Sequence, residues 1–163
     1  MISVLLWAAL GGQTLANPDL YAQLRLYDGA WTVTMHDASG KARSDLLVNA
    51  CHAFDRYFAC QQSVNGNVGA LVVYIPESTP GHFHTQNVLP DGRALGPGEL
   101  TIEGSRWTYL SHHEENGTTT WYRTTNDFSG NNRIHFESAQ SADQKTWTVT
   151  MSGDDVRGMP SSK

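Results

Sequence analysis

Turn residues interrupt this chain at intervals too short for helices. Asp37-Ala-Ser-Gly40, Asn65-Gly66-Asn67, Pro90-Asp91-Gly92, Gly104-Ser105 and Asn116-Gly117 each separate two runs of β-branched, aromatic or aliphatic residues. Gly and Asn tolerate the positive φ of a tight reversal, so such pairs between apolar runs mark hairpins. The runs read as strands. They are Gly29 to Asp37, Leu46 to Phe54, Tyr57 to Val64, Gly69 to Ile75, Gly81 to Leu89, Glu99 to Glu103, Arg106 to His112, Thr118 to Thr125, Arg133 to Ser138 and Thr146 to Met151. Outside the N-terminal segment, a short helix is expected only within Pro18 to Leu26. Successive strands with no crossover helix pair antiparallel. The edges of such a sheet are best removed by closing it on itself. The expected fold is therefore all-β, an antiparallel up-and-down β-barrel of about ten strands.

Composition narrows the function. The 163 residues suffice for one core and not for two. A net charge of −5, with Lys41, Lys145 and Lys163 the only lysines, leaves no basic patch to neutralise phosphates. No nucleic-acid partner is expected. Neither Gly-x-Ser-x-Gly, a phosphate-binding Walker loop nor a dinucleotide fingerprint occurs.

The first residues differ from the rest. Ile2 to Leu10 is almost wholly apolar, followed by Gly11-Gly12 and then Thr14-Leu15-Ala16. An apolar stretch ending in small residues has the shape of a secretory signal. The expected organisation is a signal peptide at residues 1–16 and a single barrel domain at 17–163, exported to the periplasm or secreted. No Lys or Arg precedes the apolar run, and a buried N-terminal helix is the alternative. The run is shorter than the roughly 20 apolar residues a bilayer requires, so no membrane span is expected.

Cys51 and Cys60 flank Asp55-Arg56 within an apolar, aromatic stretch. With Asp55-Arg56 as a two-residue loop, Phe54 pairs with Tyr57 and Cys51 falls opposite Cys60. Alternation along the ladder makes that a non-hydrogen-bonded pair, whose side chains lie closer together. A disulfide fits there and suits an exported protein. The eight-residue gap matches neither a CxxC redox pair nor a zinc spacing.

Asp28-Gly29-Ala30-Trp31 opens the first strand. This Gly-x-Trp resembles the lipocalin and calycin barrels, where the Trp plugs the closed end. From about Leu26 to Arg157 the chain also resembles an uncharacterised group of bacterial secreted lipocalin-like domains. Trp107-Thr-Tyr109, Tyr122-Arg-Thr-Thr-Asn126-Asp-Phe128, Arg133-Ile-His-Phe136 and Ser141-Ala-Asp-Gln-Lys-Thr-Trp147 carry that resemblance. It implies a barrel with a ligand cavity at one end and an Arg stacked over Trp31. Arg157, read as lying just after the last strand, matches that Arg by position, with Arg133 a rival.

The Asn116-Gly117 hairpin sorts further residues by face. With Glu115 opposite Thr118, one face carries Trp107, Tyr109, His113, Thr120, Tyr122 and Thr124. The other carries Thr108, Leu110, His112, Trp121, Arg123 and Thr125. Both faces mix aromatic and polar residues, as a ligand-holding lumen does. Strand propensity alone would also place Tyr, Trp and Thr here. The candidate ligand contacts are Trp107, Tyr109, Trp121, Tyr122, Arg123 and His113. Gly29, Trp31, Arg157, Cys51 and Cys60 are the structural candidates.

His82-x-His84 puts two imidazoles on one side of a strand, a start towards a metal site that needs a third ligand. His113, Glu114 or His135 are the residues available for it. Some ten-stranded barrels hold haem through one histidine, near the C-terminal strands in the nitrobindin-like family. The last strand here has none, and His135 is nearest. No cofactor is expected, with haem or a metal ion as alternatives.

The leading functional expectation is an exported barrel that binds a small apolar or aromatic molecule in its lumen. One alternative is an enzyme of isomerase, cyclase or lyase type using His, Tyr or Glu acid–base chemistry, such as Glu103 or Glu137. Another is a protein-binding or structural barrel contacting its partner through the loops Pro76 to Gly81 and Pro90 to Gly98.

Overall fold

A computed structural model describes residues 19–158. The expected signal at 1–16 lies outside them. After a single 3-10 turn, Leu24–Tyr27, the chain forms ten strands: β1 (Gly29–Asp37), β2 (Ala42–Ala53), β3 (Phe58–Val64), β4 (Asn67–Pro76), β5 (His82–Val88), β6 (Gly98–Glu103), β7 (Arg106–Glu115), β8 (Thr118–Ser129), β9 (Arg133–Ser141) and β10 (Thr148–Arg157). Each strand pairs antiparallel with the next, and β10 returns to β1 to close the barrel. Among the described residues no strand edge is left free to recruit another chain. The helix expected within Pro18 to Leu26 is reduced, among the described residues, to the one 3-10 turn.

The registers follow the turn chemistry. Asn116 and Gly117 both take positive φ, and Glu115 pairs with Thr118, Ser111 with Tyr122 and His112 with Trp121. At the cysteine hairpin, Phe54 N–H donates to the Tyr57 carbonyl at 2.8 Å. That closes the two-residue loop and sets Cys51 opposite Cys60. The two are disulfide-bonded, with Cα atoms 4.0 Å apart. The Cys51 N–H is free of the ladder and donates to Asp28 Oδ1 at 2.9 Å.

The last strand corrects the sequence reading. β10 does not stop at Met151 but continues through Gly153-Asp154-Asp155 to Arg157. Gly and Asp are poor strand formers. Pairing on both sides, to β1 and β9, overrides that preference. Arg157 is thus the last residue of the closing strand rather than a residue beyond it.

The core gathers at one end. Trp31, Trp107, Phe58, Leu100 and Ile134 are almost completely buried, and Leu24 seals them from the 3-10 turn. Trp107 packs on Phe128 with ring centroids 4.5 Å apart. Trp31 donates its indole N–H to the Tyr27 carbonyl at 3.0 Å. Arg157 lies over the Trp31 ring at 4.2 Å. Its guanidinium donates to the carbonyls of Leu26, Asp28 (2.6 Å) and Asn131 (2.8 Å). Gly29 has φ 105°, and a Cβ there would approach this guanidinium to 3.1 Å. These residues tie the first strand, the last strand and the turn into a single plug.

Strand direction sorts the loops. The segments 54–57, 77–81, 104–105 and 130–132 lie at the plugged end, and 38–41, 65–66, 89–97, 116–117 and 142–147 lie at the other. The two Pro/Gly-rich loops flank β5 and so sit at opposite ends of the barrel.

Candidate functional site

Above the plug the barrel encloses a cavity of about 490 Å³ that opens towards the loops at the far end. Alternation decides what enters it, since every second residue of a strand faces inward. Val33, Leu47, Val72, Phe136 and Met151 supply apolar wall. Gln62, Thr85, Asn87, Ser111, Thr124, Asn126 and Ser138 supply neutral polar groups. Tyr27, Tyr74, Tyr109 and Asp155 complete the lining. The volume falls within the range of small-molecule sites, roughly 300–1,000 Å³.

Tyr27, Tyr74, Tyr109, Asn126 and Asp155 gather at its deep end. Asn126 is 4% exposed and Asp155 4%. The hydroxyls of Tyr74 and Tyr109 stand 3.5 Å apart. Burial raises the Tyr74 phenol to about 12. It also raises Tyr27, helped by the charge of Asp155, and Tyr109, helped by Tyr74. All three hydroxyls therefore remain protonated and able to donate throughout the physiological range. Burial, with the like charge of Asp154 second, lifts the Asp155 carboxyl to about 7. Asp155 Oδ1 is buried without a hydrogen-bond partner. Towards the mouth, Thr124 and Ser138 hydroxyls share a 2.9 Å hydrogen bond. Gln62 donates to Asn49 Oδ1 at 3.2 Å. The Asn49 amide in turn donates to the Tyr27 carbonyl, also at 3.2 Å, bracing the turn that carries Tyr27.

The residues singled out from sequence separate into three groups. Tyr109 lines the cavity, and Trp107 lies below it in the plug. Tyr122 and His113 follow the inner face of their strands towards the mouth but stay exposed, outside the lining. Trp121 and Arg123 project from the outer wall, away from the cavity. The Trp121 ring packs against His112 at 4.8 Å, and Arg123 covers Trp147 at 4.3 Å. The hairpin register had put them on the face opposite Tyr109. The mixed composition of both faces concealed which side was lumen.

His82, His84 and His135 are on the outer wall. His84 is exposed and meets Glu77 at 3.5 Å, and His82 shares its face of β5. Among the described residues no group of three His, Cys, Asp or Glu side chains is placed to hold a metal ion. His135 stands on the outer wall, 3.3 Å from Asp154. Among the described residues no His or Glu lines the cavity, so a lumenal haem ligand or base of those types has no candidate there.

Asp155, Asn126 and Tyr27 were not singled out from sequence. Only the hairpin register gave a signal, and only for Asn126; the placement of Asp155 needed the full extent of β10. Asp155 lies two residues from Arg157 and shares its inward face. Asn126 is the hairpin partner of Trp107.

No family model and no curated protein matches the chain. Among solved structures it is similar to Rv2717c from M. tuberculosis, with a TM-score of 0.54 at 11% identity over 86% of this chain and 98% of that one. It is more loosely similar to the S-type phycobiliprotein lyase CPES from Guillardia theta (TM-score 0.49, 12% identity, 85% and 92% covered). A redesigned β-barrel, mFAP1, bound to DFHBI, is more distant again (TM-score 0.39, 14% identity, 82% and 96% covered). The similarity to Rv2717c speaks for the closed antiparallel barrel fold and not for function. Among the described residues no helix is long and apolar enough to cross a membrane.

Proposed function

We propose that this protein is an exported carrier that binds a small, largely apolar or aromatic molecule in its barrel lumen. The observation that carries this reading is the cavity of about 490 Å³, lined by aliphatic and aromatic side chains interspersed with neutral hydrogen-bonding groups, with a single carboxyl, Asp155, at its deep end. Burial of ligand surface supplies the driving force, at roughly 25 cal/mol per Å² of apolar area. Tyr109, Asn126 and the paired Thr124 and Ser138 hydroxyls orient the ligand. The disulfide supports an oxidising compartment. Cleavage after Ala16, and kinship with secreted bacterial domains of this shape, belong to the same proposal.

Native mass spectrometry of protein recovered from the periplasm, with quenching by naphthalenemethanol as a surrogate ligand, tests it. The expected results are a mature chain lacking residues 1–16 and saturable binding. Ser111→Trp, which fills the cavity from β7, should weaken that binding at least about tenfold. Equal affinity in the filled variant would sink the lumen as the site.

A further inference from the structure

Asp155 is an unusual residue for a plain apolar carrier. Its side chain is buried against the cavity, and its Oδ1 accepts no hydrogen bond. The residues opposite it, Val33 on β1 and Ile134 on β9, cannot donate. Arg157 shares its face of β10, but that guanidinium is committed to the carbonyls of Leu26, Asp28 and Asn131. Asp154 points out through the wall and meets His135 there. Tyr27 is the titratable group facing Asp155 from the 3-10 turn. No Lys, Arg or His lines the cavity among the described residues, so Asp155 carries its sole formal charge. A buried carboxylate left without a partner is costly, and a cation entering from outside would relieve that cost.

We infer that the lumen takes a small aromatic molecule bearing one basic nitrogen, with that nitrogen held against Asp155. The inference rests on the ligand-binding reading above. The ring lies against the apolar wall, and the protonated nitrogen donates to the orphan Oδ1. A carboxylate or phosphate in the same place would meet like charge and no compensating cation. The carboxyl, lifted to about 7 by burial, is ionised above neutrality, where an alkyl ammonium is still charged.

Three probes of one shape test this: naphthylmethylamine, naphthalenemethanol and naphthoate, titrated calorimetrically into the full disulfide-bonded protein. At about pH 8 the amine should bind at least about tenfold tighter than the alcohol, and the naphthoate weakest. The preference for amine over alcohol should fade as pH falls to about 5.5 and Asp155 protonates. Asp155→Asn should abolish that preference. The wild-type series is decisive even if the variant folds poorly. Alcohol binding with no preference for the amine would overturn the assignment of Asp155 and leave the carrier reading standing. No binding of any of the three would overturn both.

Discussion

Asp155 and Arg157 stand two residues apart on the inner face of β10 and act in opposite senses. Arg157 satisfies three carbonyls and caps Trp31, so it contributes to stability. Arg157→Ala should cost about 3 kcal/mol in denaturant unfolding, through lost charge-assisted hydrogen bonds and cation–π contact. Arg157→Lys should recover less than half of that, because an ammonium cannot reproduce the planar fork. Asp155 is a liability in the free protein. Its folded-state pKa, about 7, lies above that of an unfolded aspartate, so the native state binds the extra proton. This contribution to stability is flat below about pH 4, falls as pH rises to about 7, and then levels off. The total loss is about 4 kcal/mol at most. Asp155→Asn should be the more stable protein above neutrality. The difference between the two unfolding free energies, measured across that pH range, should shrink towards zero in acid. A constant difference would mean that Asp155 does not titrate there.

At the scale of elements, Gly153 shows how tightly the closing strand is seated. A Cβ there would lie 2.2 Å from the Thr34 carbonyl oxygen, 2.8 Å from Met35 Cα and 2.8 Å from a Phe136 ring carbon. Two of these atoms belong to the backbone of β1, so no rotamer change relieves the clash. Gly153→Ala should destabilise by about 3 kcal/mol or more, seen as a lowered denaturant midpoint. The cysteine hairpin is a local staple at the plugged end, with nine residues of sequence separation. Replacing both cysteines by serine should cost about 3 kcal/mol on chain-entropy grounds. Two of the hairpins with short loops were legible down to their register. The register of β7 and β8 follows from Asn116-Gly117, and the disulfide register from Asp55-Arg56. The extent of β10 was not legible. Gly153, Asp154 and Asp155 argue locally against a strand, and only pairing with β1 and β9 holds them in one.

For the whole molecule, closure is the event that creates both the plug and the cavity. The seven residue pairs between β1 and β10 bring Trp31 to Arg157 and Val33 to Asp155 across almost the entire chain. A ligand seated in the lumen stabilises the closed barrel by mass action. Naphthalenemethanol at 100 times its Kd should add about 2.7 kcal/mol. For a domain of this size that is a rise in Tm of about 5–10 °C. Ser111→Trp should lose the ligand-dependent rise while keeping its own transition.

Local chemistry in the sequence determined the strands, most of the turns, the cysteine pairing and the antiparallel order, because neighbours along the chain set hairpin registers. It also sorted Trp107 and Tyr109 onto one face and Trp121 and Arg123 onto the other. Which face looked inward was left to the tertiary structure, since both carry aromatic and polar groups in similar measure. Closure settled it by packing Trp107 against Phe128 and Tyr27 in the plug. The same long-range pairing turned Asp155, an unremarkable acid near the end of the sequence, into a buried carboxyl facing the cavity. A side chain's environment depends on strands remote in sequence, and no local pattern encodes the charge balance of an enclosed space.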